Sequence, residues 1–239
     1  LSKSCVFADF DYNLHHNIFT IMKNKIITQE QAAGLVKDGM TVMLGGYLGC
    51  GTPHGIIGLL VKNNVRNLTV ISNDATYPGQ GVGRLFENKQ VERFIGSHIG
   101  TNPEVGRQMT CGECFVDLIP QGTLAERIRC GGAGIAGFLT PTGIGTIAEV
   151  GRQIMELDGK KYILERPLRA DVAILSARCA DKNGNLFFAK SSRNFQPLMA
   201  TAADIVIVEA DEIVEPGDIE PECVHTPSIF VDYITEARK

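Results

Sequence analysis

The sequence predicts an α/β fold: an open, mostly parallel sheet with flanking helices and inserted β-hairpins. Short runs of Val, Ile, Leu and Met alternate with helix-like segments along the 239 residues. These runs are too continuous for a sheet with one wet face, so both faces must be covered. Glycine gathers in two groups, Gly45 to Gly58 and Gly131 to Gly145, interleaved with aliphatic residues rather than set in a linker.

The elements follow in order. Thr28-Gln29-Glu30-Gln31 has the spacing of a capping box and opens a helix that runs towards Gly39. Met40–Leu44 reads as a buried strand stopped by Gly45-Gly46. Thr52-Pro53 supplies an N-cap and a first-turn proline for a helix carrying Ile56, Ile57, Leu59, Leu60 and Val61. Strands are expected at 68–71, 91–97, 115–119, 172–177 and 204–210, with a helix capped at Asn102-Pro103-Glu104. Asp158-Gly159 and Asn183-Gly184 are two-residue hairpin signals. No linker, repeat or charge run divides 22–239, which reads as one domain. Residues 1–21 carry scattered aromatics without period and no glycine, and read as an upstream or non-native extension, not a signal peptide.

Composition narrows the function. A net charge of −4 gives no reason to expect nucleic acid. No apolar run approaches the ~18 residues that would span a bilayer. Seven cysteines, an odd number in a chain able to form its own core, point to a reducing cytoplasm rather than a disulfide framework. Cys111-Gly-Glu-Cys114 is a lone CxxC without the further ligands that zinc requires, so no metal is expected.

Three stretches could carry chemistry. Gly45-Gly46-Tyr47-Leu48-Gly49-Cys50-Gly51 joins a strand to a helix, where ligands of α/β sheets bind. Its glycines allow positive φ and close backbone approach, and the helix after it could offer N–H groups to an anion. Its spacing does not fit a dinucleotide fingerprint. Ser72-Asn73-Asp74 ends the next strand and could face the same crevice or simply build an Asx turn. Gln121, within Pro120–Arg129, ends another strand with an amide that both donates and accepts. Arg127 and Arg129 read as surface charges on a short helix, and His54, His98 and His225 as isolated structural or surface residues. No Gly-x-Ser-x-Gly elbow, Walker A loop or His-Glu-x-x-His helix occurs. The chain offers binding loops without an evident reactive group.

These residues resemble a family. Asp38–Pro53, Ser72-Asn73-Asp74, Pro120–Arg129, the Gly131–Gly145 run and Ser192-Arg193-Asn194-Phe195 are similar, in order, to the α subunit of family I coenzyme A transferases. The resemblance covers roughly 22–233 and lies nearest the subunits of acetate and butyrate–acetoacetate CoA-transferases. It implies a partner β subunit in an α2β2 assembly and ping-pong transfer of CoA from an acyl-CoA to a short-chain carboxylate. The nucleophile it implies is a glutamate in a Ser-Glu-Asn-Gly setting, which forms a glutamyl-CoA thioester. That string is absent here, so the catalytic glutamate is expected on the partner chain. By the same resemblance Gly45 to Gly51 contact CoA as substrate, with no permanently bound cofactor, and Asn73 and Gln121 line the pocket. Tyr47 stands where the family commonly has Phe. Two other readings compete: a sugar-phosphate isomerase of similar fold using the glycine loop as a phosphate cradle, and a non-catalytic acyl-CoA binding module.

Overall fold

A computed structural model describes residues 24–238, so the expectation for 1–21 lies outside the described residues. Alternation along the first strand sets the architecture. In β1 (Thr41–Leu44), Val42 and Leu44 enter one hydrophobic core while Met43 enters another on the opposite face. β2 (Leu68–Ile71), β3 (Val91–Gly96), β4 (Phe115–Leu118), β8 (Ala170–Ala177), β11 (Ala203–Ala210) and β13 (Tyr233–Glu236) complete a seven-stranded sheet. Its order is β13-β11-β8-β1-β2-β3-β4, and every neighbouring pair is parallel.

One face is covered by α1 (Gln29–Ala33), α2 (His54–Lys62), α3 (Gly83–Glu87) and α4 (Pro103–Thr110), which contribute Ala33, Ile57, Leu60, Phe86 and Val105. The other face is covered by α5 (Gln121–Ala133) and α6 (Gln196–Thr201) through Leu124, Ile128, Met199 and Ala200. Two small sheets are inserted. β5 (Phe138–Thr140), β6 (Gln153–Leu157) and β7 (Lys160–Glu165) form an antiparallel sheet, and β9 (Cys179–Asp181), β10 (Leu186–Phe187) and β12 (Ile213–Val214) form a mixed one.

Most expected elements are present, and the departures have local causes. The Thr28–Gln31 capping box forms with both bonds, at 3.2 and 2.9 Å, but α1 stops at Ala33, well short of Gly39. The Asp158-Gly159 hairpin forms with both residues at positive φ, +52° and +71°, as a right-twisted two-residue turn requires. At Asn183-Gly184 the turn is longer. Asp181 Oδ1 accepts N–H bonds from Asn183, Gly184 and Asn185, so an Asx-type loop of Lys182–Asn185 replaces the two-residue turn.

Thr52 does not cap α2. Pro53 occupies the N-cap position without a side-chain bond, and the N–H groups of Gly55 and Ile56 donate to Glu209 at 3.0 and 2.7 Å. The second glycine group begins inside a helix: Cys130 to Ala133 continue α5, and Gly134 closes it in the left-handed region at φ +68°. Arg127 is buried, not a surface charge: its Nε donates to the Arg166 carbonyl at 2.7 Å and lies 3.6 Å from Glu165. Arg129 stays exposed, paired with Glu126 at 2.7 Å.

Candidate active site at the sheet switch point

From β1 the chain builds β2, β3 and β4 on one side, and later β8, β11 and β13 on the other. Between β1 and β8 the connections diverge, which opens a crevice at the carboxyl ends of the strands. The Gly45–Gly51 loop leaves β1 at that point. Tyr47 and Cys50 exchange backbone bonds at 3.0 and 2.9 Å, closing a two-residue turn. Its central residues, Leu48 and Gly49, have φ of +46° and +89°. A left-handed leucine costs about 1–2 kcal/mol. The Leu48 N–H is held by Asp74 Oδ2 at 2.9 Å, which offsets that strain.

The loop is also pinned from below by Ser191–Gln196. Gln196, fully buried, donates from Nε2 to the Gly51 carbonyl at 2.6 Å and accepts the Ser176 N–H at 3.3 Å. Asn194 Nδ2 donates to the Cys50 carbonyl at 3.2 Å. A Cβ on Gly45 would lie 2.1 Å from Gln196 Oε1, and one on Gly46 would lie 2.3 Å from Thr52 Oγ1. Glycines 45 and 46 therefore let the loop lie against its own chain. Gly49 is different, with open space around its Cβ direction beyond Gln80 at 3.7 Å.

Neighbouring strand ends supply the polar wall. Asn73 follows β2, Ser97 and His98 follow β3, and Gln121 follows β4 as the first residue of α5. Asn73 Nδ2 donates to Asp74 Oδ2 at 2.7 Å, and Gln121 Nε2 donates to Asn73 Oδ1 at 2.7 Å. Ser97 Oγ sits 2.7 Å from the Asn73 carbonyl and 3.0 Å from its Oδ1. With Tyr47 and Leu48 these residues line a cavity of about 300 Å³. Tyr47 and Gln121 also border a second, mainly apolar cavity of about 430 Å³ that includes Ala125, Phe195 and Leu198.

The expected residues thus converge in part. Tyr47, Leu48, Asn73 and Gln121 share one cavity; Gly45, Gly46 and Gly51 shape the loop beneath it, and Cys50 is exposed beside Ser191. Sequence reasoning passed over Ser97 and His98, although they end a strand as Asn73 and Gln121 do. It also missed Gln196 and Glu209, which nothing local marks.

Electrostatics separates this site from a simple anion cradle. Burial pushes the Glu209 carboxyl above the ordinary range even though two backbone N–H groups pull it down. That carboxylate already occupies the start of α2, so the helix offers those donors to no ligand. Asp74 is buried, and its oxygens accept N–H bonds from Leu48, Asn73 and Thr76. It is the only carboxylate lining the cavity among the described residues. Also among them, no group of three or more His, Cys, Asp or Glu could hold a metal ion, and no helix is long and apolar enough to cross a membrane. Cys111 and Cys114 are free thiols, the latter pushed up to about 11 by burial.

Known proteins are similar to this chain in sequence and in fold. A family model described as Coenzyme A transferase matches residues 26–237. The chain is 53% identical over 213 residues to the acetate CoA-transferase subunit alpha of Escherichia coli K12, covering 89% of this chain and 97% of that one. It is 47% identical over 215 residues to the acetoacetyl-CoA:acetate/butyrate CoA transferase alpha subunit of Clostridium acetobutylicum, covering 90% and 99%. An acyl-CoA transferase of E. coli O157:H7, solved as a thioester complex with CoA, superposes with a TM-score of 0.82 at 20% identity. The match covers 90% of this chain, which spans about half (47%) of that longer chain. Glutaconate CoA-transferase of Acidaminococcus fermentans superposes with a TM-score of 0.78 at 18% identity, covering 89% of this chain and 75% of the other. Sequence motifs, parallel-sheet architecture and family match agree: this chain belongs to the coenzyme A transferase family.

Proposed function

We propose that this chain is the α subunit of a CoA-transferase that moves CoA from an acyl-CoA to acetate, butyrate or acetoacetate. Residues 22–239 form its single domain, and it acts in the cytoplasm as an α2β2 assembly. The observation that carries the reading is a cavity lined by the amides of Asn73 and Gln121 whose one carboxylate among the described residues, Asp74, accepts N–H bonds at both oxygens. Such a wall suits a reacting group brought by another chain.

In this reading a glutamate of the β subunit attacks the thioester carbonyl and expels the CoA thiolate, leaving a mixed anhydride. The thiolate then attacks the glutamyl carbonyl and releases the first acyl group as a carboxylate. The glutamyl-CoA thioester is taken over by the second carboxylate through the same steps in reverse. Each attack places negative charge on a carbonyl oxygen, which fixed N–H donors stabilise in a site closed to water. Within the turn the N–H groups of Tyr47, Leu48 and Cys50 are already bonded, so the Gly49 N–H and the Gln121 amide are the donors this chain brings. The names of the E. coli and C. acetobutylicum relatives support the choice of acids. Against the isomerase alternative, a phosphate at the glycine loop would have no help from the Gly55 and Ile56 N–H groups of α2, which Glu209 accepts.

The test is co-expression with a β-type subunit, followed by an assay of exchange between acetyl-CoA and acetoacetate or butyrate. The single chain is expected to be inactive and the complex active, with CoA trapped on a β-chain glutamate by mass spectrometry. Turnover by the isolated chain would overturn the shared-site reading.

A further inference from the structure

A carboxylate can only accept hydrogen bonds, whereas a primary amide offers an acceptor at one end and two donors at the other. The contacts behind the cavity turn that asymmetry into a direction. Asp74 is 2% exposed and takes N–H bonds at both oxygens: Thr76 at 2.8 Å on Oδ1, Leu48 at 2.9 Å and Asn73 Nδ2 at 2.7 Å on Oδ2. Reversing the Asn73 amide would set oxygen against oxygen and forfeit a hydrogen bond to a charged group, worth about 1.5–3 kcal/mol. Asn73 Oδ1 is therefore fixed on the far side, where it accepts Gln121 Nε2 at 2.7 Å. Gln121, exposed at the cavity, is left with its Oε1 and one N–H.

We propose that Asp74 is a positioning residue that, through Asn73, fixes the polarity of the Gln121 amide, so that the cavity receives one donor and one acceptor instead of two donors. The inference rests on the shared-site reading above. Its chemical consequence concerns the attacking carboxylate. Two N–H donors would solvate that carboxylate in the ground state and blunt it as a nucleophile, while a single donor leaves it more reactive. A relay that ends on a buried charge also strengthens each bond along it.

The test uses the assembled complex and two variants. In Asp74→Asn the constraint on Asn73 is lifted and Gln121 is free to reverse. kcat is expected to fall about 10- to 100-fold, with the KM of the acceptor carboxylate unchanged or lower, since its ground state gains a donor. In the exchanged variant Asn73→Asp/Asp74→Asn, the carboxylate at 73 again accepts from Gln121 Nε2, and most of the lost kcat is expected to return. Full activity of Asp74→Asn overturns the proposal. So does a loss that the exchanged variant does not recover, which would make Asp74 only a clamp on the Leu48 turn. Gln121→Ala separates this from failure of the site reading: an active Gln121→Ala complex removes the site itself, whereas an inactive one beside an active Asp74→Asn removes only the relay.

Discussion

The loop Gly45–Gly51 and the helical pair Gly131-Gly132 both stand out for glycine, yet the missing side chains do not serve all the same ends. In the loop, Gly46, Gly49 and Gly51 take φ of +129°, +89° and +74° and turn the backbone towards a cavity. In α5 the glycines sit inside an ordinary helix. A Cβ on Gly131 would lie 1.9 Å from the Leu168 carbonyl oxygen, and one on Gly132 would lie 1.9 Å from Thr201 Oγ1. Both stretches use glycine for close packing, at Gly45 and Gly46 as at Gly131 and Gly132, but only the loop also uses it to turn the backbone at a cavity. Composition alone cannot separate the two, but backbone φ does, positive at Gly46, Gly49 and Gly51 and helical at Gly131 and Gly132.

The sharpest way to break this contrast is Gly131→Ala. Its obstacle is backbone, which cannot swing aside, so destabilisation of about 3 kcal/mol is expected, a fall of about 6–12 °C in Tm at this length. Thermal unfolding checks it, and an unchanged Tm would remove the packing explanation. Gly49→Val should do the reverse. Left-handed strain of about 1–2 kcal/mol falls on the turn at the cavity. CoA exchange by the complex should drop about 100-fold while gel filtration shows the subunits still assembled. Retained kinetics would refute the role given to that turn. Gly134→Ala lies between them, with φ +68° and nothing within 4 Å. A loss of about 1 kcal/mol in urea unfolding, with exchange unaffected, is expected there.

The smallest effect is a slope. Glu209 has a raised folded-state carboxyl, so the folded protein holds its proton to higher pH than the unfolded chain does. The stability this contributes is complete below the ordinary value of 4.5 and is lost as pH rises through the raised value. In Glu209→Gln that decline should vanish from urea midpoints measured between pH 4 and 8, alongside a constant loss from the weakened helix start. Parallel curves for the two proteins would show that Glu209 does not titrate in this range.

Much of the sheet was legible because it is written in contiguous residues. Leu68–Ile71 and Phe115–Leu118 are short, mainly apolar runs bounded by turn residues, and β1 ends where Gly45-Gly46 must end it. That Asn73 and Gln121 would line one cavity was legible for a related reason: parallel strands deliver their carboxyl ends to one edge. What escaped reading depends on partners far along the chain. Nothing near Pro53 announces that Glu209 will cap its helix, and nothing near Arg127 announces that 166 and 165 will bury it. His98 escaped for a simpler reason, since an isolated histidine carries no pattern until the ends of β2, β3 and β4 are seen side by side.

The placement of Glu209 also bears on the order of assembly. The start of α2 is satisfied by a residue 153 positions downstream of Ile56, and the Gly51 carbonyl by one 145 positions downstream. During synthesis the β1–β4 half can pair as it emerges, but its loop has no floor and its helix no cap until the later strands arrive. Contacts of such separation close slowly, because loop entropy must be overcome first. A nascent chain would therefore carry a formed half-sheet with an unfinished crevice, and the crevice would become competent only near the end of translation.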